Sequence, residues 1–419
     1  MNLPPSHQIP ESDLSRYSWL LLLMVILTCQ ARAAETPDYR FDGPVSEPVL
    51  RNYLSRSMTL MYLLTGQGDF EDHLRMLKHT GVKFAGRAVY NWGREQGGEP
   101  ALPRKLAEAG ARAERVHAMD PEIILQACVF EIVSHDVNQL AVPAWVFEAL
   151  GRPVEARNFR FEAMGYESGR GRDQWGEATC IPDVSRPETQ LFFHYLACSY
   201  IDIGCEAIHF GQMELMDEND PDLSHWAGVL RHVRAHAAQH ARRHYVLCDA
   251  HVPGGGLVRD GHLLLDFHSF PLRIEETPDK PREGKLRVGF ADSFYGRSKG
   301  GISPAGWQCT HLPFLVEFDN YGRSRLPGEP GMGAYWVWGW DEITWFSQQP
   351  APYQNSWLAY AWRWVRDHDT AGYLQMPGMR CLSGAADGKR FYYVHAPSSA
   401  TPDGSGQEAA VREIWQRGP

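Results

Sequence analysis

Residues 312–319 read LPFLVEFD, an apolar run that closes on two carboxylates, Glu317 and Asp319. The pattern recurs along the chain. VKFAGRAVYN (82–91) ends on Asn91, IILQACVFE (123–131) on Glu131, and CEAIHFGQME (205–214) on Gln212 and Glu214. HYVLCDAH (244–251) ends on Asp249 and His251, and HLLLDFH (262–268) on Asp266 and His268. A strand buried on both faces is apolar nearly throughout, so polar residues gathered at one end of run after run need a cause. A parallel barrel supplies it, because its active site is built at the carboxyl ends of the strands. The expected fold class is α/β, a (β/α)8 TIM barrel with long βα loops.

From about residue 57 onward, apolar runs alternate with amphipathic stretches, the order of a parallel α/β fold. The spacing predicts helices over 70–80, 104–119, 187–203, 224–244 and 353–367, and strands centred near 60, 87, 128, 209, 247, 265, 316 and 337. A ninth strand-like run, LRVGFADSF (286–294), reads as an insertion before the seventh strand. Long loops in a compact domain are usually functional, so 135–185 and 295–311 are expected at the catalytic rim. The expected organisation is a signal peptide over 1–33, a catalytic barrel over 34–396 and a flexible tail over 397–419.

A length of 419 residues suits one barrel of roughly 250 to over 400 residues without a second domain. The net charge of −10 argues against a phosphate-backbone partner, so no nucleic acid is expected. The 14 tryptophans offer indole faces on which sugar rings can pack, besides filling the core. At the N-terminus Arg16 precedes the apolar run Trp19–Leu27, and Ala31-Arg32-Ala33 follows it. That layout is a secretory signal, and the run is shorter than the about 20 residues a membrane span needs. A secreted or periplasmic protein with no span after cleavage is expected, with lipid anchoring through Cys29 as the lesser alternative. Cleavage would leave seven cysteines, an odd number that cannot all pair. Cys128 and Cys248 lie inside strand-like runs and read as small buried hydrophobes; one or two disulfides among the others stay open.

Side chains alternate along a strand, so Glu317 shares a face with Asp319, Asp249 with His251, and Asp266 with His268. Glycoside hydrolysis needs two carboxyl groups flanking the scissile bond, and Glu214 with Glu317 is the best pair. Glu131 and Asp319 are the alternative catalytic carboxylates. Arg87, Asn91, Trp92, His209, Gln212, Asp249, His251, Asp266 and His268 are candidates for binding substrate hydroxyls. On the strand-end residues after the expected fourth and seventh strands, the chain resembles the large superfamily of retaining (β/α)8 glycoside hydrolases. The resemblance implies Glu214 as acid/base, Glu317 as nucleophile, a carbohydrate substrate and no cofactor or metal. The run WVWGW (336–340) resembles the sugar-platform aromatic after the superfamily's eighth strand, which implies a binding role for Trp340. One departure is clear: the superfamily usually places Asn directly before the acid/base, whereas Met213 stands there and Gln212 comes one position earlier.

Two other readings remain open. Asp249, His251, Asp266 and His268 could hold a metal in a hydrolase or lyase, or the barrel could bind glycan without turning it over. GRSKG (296–300) matches G-x-S-x-G but leads into a loop, which a nucleophile elbow does not. His232, His236, His240 and His244 recur at chelating spacing on one helix. No carboxylate or cysteine shares that face, so a solvated helix surface is expected.

Overall fold

The computed structural model describes residues 37–93, 101–333 and 335–417, so the expected signal segment and Cys29 lie outside the described residues. Seven strands run parallel in chain order: β1 (Ser57–Leu60), β2 (Phe84–Tyr90), β3 (Ile124–Cys128), β4 (Ala207–Gln212), β5 (Leu247–His251), β6 (His268–Pro271) and β7 (Phe314–Glu317). β8 (Gly372–Leu374) pairs in parallel with β7, and β9 (Met376–Cys381) pairs in parallel with β1. A single residue, Gln375, separates β8 from β9. Both margins of a curled sheet are therefore held by one continuous stretch of chain, and β10 (Phe391–Tyr393) adds an antiparallel partner to β9, giving ten strands.

Two of the expected strands are corrected. The run near 337 is a turn with an isolated bridge between Val337 and Trp340, not a strand. Its apolar character comes from packing Val337, Trp338 and Trp340 into the core. The stretch that occupies the eighth position, 372–381, contains Pro377 and Gly378, residue types that read as strand breakers. Gly378 is required there, because a Cβ would lie 2.5 Å from the Met58 side chain on β1. The run HLLLDFH enters the sheet only at His268, so Asp266 precedes the strand rather than ending it. Residues 286–294 form no strand.

The helices follow amphipathic logic. α1 (Glu47–Ser55) precedes β1, and α2 (Phe70–Thr80) is capped by the Asp69 carboxylate on the Asp72 N–H at 2.9 Å and ended by Gly81 in the left-handed region. α3 (Leu102–Met119), α4 (Pro187–Asp202) and α5 (Ser224–His240) precede β3, β4 and β5. α6 (Glu342–Ser347) and α7 (Ala351–His368) lie between β7 and β8. No described helix is long and apolar enough to cross a membrane. Among the described residues no disulfide links the seven cysteines, and Cys128 and Cys248 are buried.

The amino-terminal ends of the strands are sealed. Leu50, Tyr53 and Leu54 of α1 pack with Phe84, Ile124, Ala207, Leu247, Phe267, Leu315 and Tyr373, which stand at or beside the strand starts. Trp307 packs against this cluster and its indole donates to the Val45 carbonyl at 3.1 Å. The loop 295–311, expected at the catalytic rim, thus reaches the opposite face. The tail is also corrected. Residues Glu408–Gln416 form α8, whose Val411, Ile414 and Trp415 are buried, and the Glu408 carboxylate accepts from Arg75 at 2.6 and 2.8 Å.

Candidate active site at the carboxyl ends of the strands

Glu317, the last residue of β7, is buried, and both of its oxygens are occupied. Arg87 donates to them from Nε at 3.0 Å and through a second, shorter contact from Nη2. Arg380 Nη1 donates at 2.8 Å, and His251 Nε2 lies 2.8 Å from Oε1. Burial alone would raise the carboxyl's pKa. The Arg87 and Arg380 charges and the His251 contact outweigh it and hold Glu317 well below the ordinary carboxylate range. The result is a strand-end carboxylate that stays ionised at neutral pH.

The local backbone explains how Arg87 reaches it. Arg87 has φ 57°, rare for a residue with a side chain, and the β2–β3 register shifts between Ala85 and Val89. Such an irregularity re-aims a side chain that strict alternation would place elsewhere. The Gln126 side chain secures the bend by accepting from the Arg87 N–H at 3.0 Å. Buried arginine–carboxylate pairs hold their geometry through bidentate hydrogen bonding.

Glu131 and Gln212, at or beyond the ends of β3 and β4, are bonded to each other. The Gln212 N–H and its side-chain amide both donate to Glu131, each at 2.9 Å. Gly211 permits this: its φ is 46°, and a Cβ there would collide with the Glu131 carboxylate. Glu214 lies in the short turn after β4, and its two oxygens accept from the Gly254 N–H at 2.9 and 3.0 Å. Beside it, burial and then the Glu214 charge push Asp217 up to about 6. Asp319 receives Arg273 at 3.3 Å; burial raises its pKa, and Arg273 leads the charges that bring it below the usual value.

Several expected site residues are held elsewhere. Asp249 is buried and accepts from Gln126 at 2.7 Å and Ser269 at 2.6 Å, with His209 Nδ1 2.8 Å away. Asp266 binds Tyr245 at 2.5 Å, Arg234 of α5 at 2.9 Å and the Cys248 N–H at 2.9 Å, so it fastens an outer helix to the sheet. His268 meets Ser298 at 2.9 Å at the start of β6, and burial lowers its pKa to about 3. Only His251 of the four proposed metal ligands touches Glu317. Asp249 and His251 both lie against His209, but Asp266 and His268 are bonded to other partners. Among the described residues the four do not form one metal-ligating cluster, which overturns their reading as a metal quartet. Asn91 is tied to Lys105 at 2.7 Å and to the Gly93 carbonyl at 2.5 Å. Trp340 is buried, not a platform.

Exposed aromatics stand elsewhere on the rim. Trp92 is 42% exposed, with its ring 5.1 Å from Phe130 and 5.9 Å from Trp175. Tyr335, 48% exposed, lies over the Arg273 guanidinium at 5.0 Å. Arg380 is the principal residue that sequence reasoning missed, because its strand was hidden by Pro377 and Gly378. The run of apolar residues ending on Arg380, LQMPGMR, carried the signal.

No protein-family model matches the chain, and no curated protein matches it. Among solved structures it is similar to the α-galactosidase from Lactobacillus brevis, at 11% identity and a TM-score of 0.26, covering 49% of this chain and 28% of that one. It is also similar to the β-1,4-D-mannanase from Cryptopygus antarcticus, at 9% identity and a TM-score of 0.31, covering 85% of this chain and 88% of that one. At TM-scores this low neither likeness carries an argument about function.

Proposed function

We propose that the chain is an exported (β/α)8-barrel glycoside hydrolase in which Glu317 is the ionised carboxylate and Glu214 the acid/base. The observation that carries this reading is Glu317 itself: a buried strand-end carboxylate held ionised by Arg87, Arg380 and His251. Cleavage of a glycosidic bond passes through an oxocarbenium-like state. A fixed negative charge at the sugar face stabilises that state without reorganising. The barrel architecture is supported by the β7–β8 and β9–β1 pairings, which return the sheet to its first strand. Trp92 and Tyr335 are the platforms on which a sugar ring would stack. Glu131 and Asp319 stand in reserve as the second carboxyl group. The segment 1–33 would direct export, placing the enzyme in the periplasm or outside the cell.

A second reading rests on one observation. Both oxygens of Glu317 are already engaged, which suits a barrel that binds glycan without cleaving it. Both readings are tested by screening polysaccharides and aryl glycosides against the protein and its Glu317→Gln and Glu214→Gln variants. Turnover lost in Glu317→Gln supports the hydrolase. Glycan binding with no turnover in any form would replace it with the binding barrel.

A further inference from the structure

Two neighbouring outer helices face each other through ladders of metal-ligating residues. α4 presents His194, Cys198 and Asp202 at four-residue spacing, and α5 presents His232, His236 and His240 at the same spacing. Residues four apart lie on one helix face. The carboxylate that the histidine face of α5 lacks in its own sequence is therefore supplied by α4. The His194 and His232 rings lie 6.1 Å apart, and further along the seam His236 Nε2 lies 2.7 Å from Asp202 Oδ1. His240 Nδ1 is 4.0 Å from the same oxygen, and the His236 and His240 rings stack at 4.1 Å with planes 9° apart.

We infer that Asp202, His236 and His240 form a binding site for a borderline divalent metal ion, with zinc as the best fit. Among the described residues this is the group of His, Cys, Asp and Glu side chains whose ligand atoms all lie within 4.8 Å of one another. A tetrahedral zinc with bonds of about 2.0–2.2 Å sets its ligand atoms about 3.3 Å apart. The observed 2.7 and 4.0 Å separations lie on either side of that value. An ion shared by two imidazoles lies close to the plane of both rings, so His240 must swing out of its parallel stack on His236 to ligate. It and Asp202 are the accessible groups, with side chains 53% and 46% exposed. His236 is fixed beforehand by stacking on Trp145 at 5.9 Å. Imidazole nitrogen with carboxylate oxygen is a donor set that suits zinc. The fourth position opens to solvent and takes water.

Both helices end here and lead into the starts of β4 and β5, so the site lies toward the face opposite Glu317. The ion ties the ends of two helices together, and its effect falls on stability rather than turnover. A ligand that binds only the folded chain raises the melting temperature by mass action.

Titration calorimetry with zinc chloride, beside thermal melts in zinc or in chelator, tests the site in the full chain. One zinc per chain is expected, with a higher melting temperature in zinc. Asp202→Asn and His240→Ala should each weaken binding at least about tenfold and abolish the shift, while His232→Ala keeps both. Both ligand variants sit on exposed side chains, and the Asp202→Asn change keeps the shape, so folding is not at stake. Wild type and ligand variants titrating alike, or no binding by wild type, would overturn the inference. The outcome is independent of whether the barrel hydrolyses sugar.

Discussion

Arg380 Nη1 lies 2.8 Å from Glu317 Oε2, joining the stretch that follows β8 to the last residue of β7. Both side chains are buried, so each charge is compensated by its partner and not by water. Removing one partner of such a pair leaves an uncompensated buried charge, which costs about 3–5 kcal/mol. Here two guanidiniums and an imidazole converge on one carboxylate, so Glu317→Gln is expected to abolish hydrolysis and lower stability together. Arg380→Met should lower stability while leaving Arg87 to hold the carboxylate. Chemical denaturation alongside an aryl-glycoside assay reads both effects.

The pH dependence has a definite sign. Glu317 has a depressed folded-state pKa, so its stabilisation is present above the unfolded carboxylate value of about 4.3 and is lost as pH falls through the folded value. Wild type should therefore lose stability steeply in acid below about pH 4, and Glu317→Gln should show a flatter curve over that range. Urea midpoints from pH 2 to 7 give the comparison; parallel curves would contradict it.

Glu214→Gln should lower turnover by about 10²–10⁴-fold, the usual contribution of a general acid or base. Glu214 lies in a turn on the rim, bonded to the Gly254 N–H, so its melting temperature should stay near that of wild type. Equal turnover in the two proteins would move the acid role to Glu131.

The tryptophans divide by exposure. Trp340→Ala empties a core position and should cost about 3–5 kcal/mol. Trp92→Ala removes an exposed ring, so stability should hold while KM for an oligosaccharide rises with kcat kept, the mark of a lost binding contact. Thermal melts and steady-state kinetics on the two variants separate the roles.

At the C-terminus, Glu408 accepts from Arg75, from His79 at 2.6 Å and from the Ala396 N–H at 2.7 Å. Burial raises its pKa, but the Arg75 bonds and then the Ala396 N–H bring it down to about 2. Its contribution is present above the ordinary carboxylate range and disappears as pH falls through about 2. Glu408→Ala should cost about 1–2 kcal/mol at neutral pH, the low end for charged hydrogen bonds because Arg75 is half exposed. Faster hydrogen exchange across α8 would accompany it.

The strands β2 to β5 and β7 were visible in the chain because a buried parallel strand must be apolar and the runs at 84–90, 124–128, 207–212, 247–251 and 314–317 are so nearly throughout. Glu317 was visible for the same reason, as a charge closing such a run. β9 was not, since Pro377 and Gly378 break the pattern while the pairing with β1 accepts them. WVWGW looked like a strand because burial makes a turn apolar as readily as a strand.

Local pattern set where chain segments become strands and which of them end in polar groups, because burial constrains residue type one position at a time. Partnership was a different matter. Asp249 and Asp266 share the motif Asp-x-His, yet one meets His209 inside the sheet and the other meets Arg234 on a helix. Arg87 reaches Glu317 only through a positive φ and a slipped register, and Asp202 reaches His236 only across two helices. Charge pairing depends on distances between residues far apart in the chain, and those distances exist only once the chain has packed.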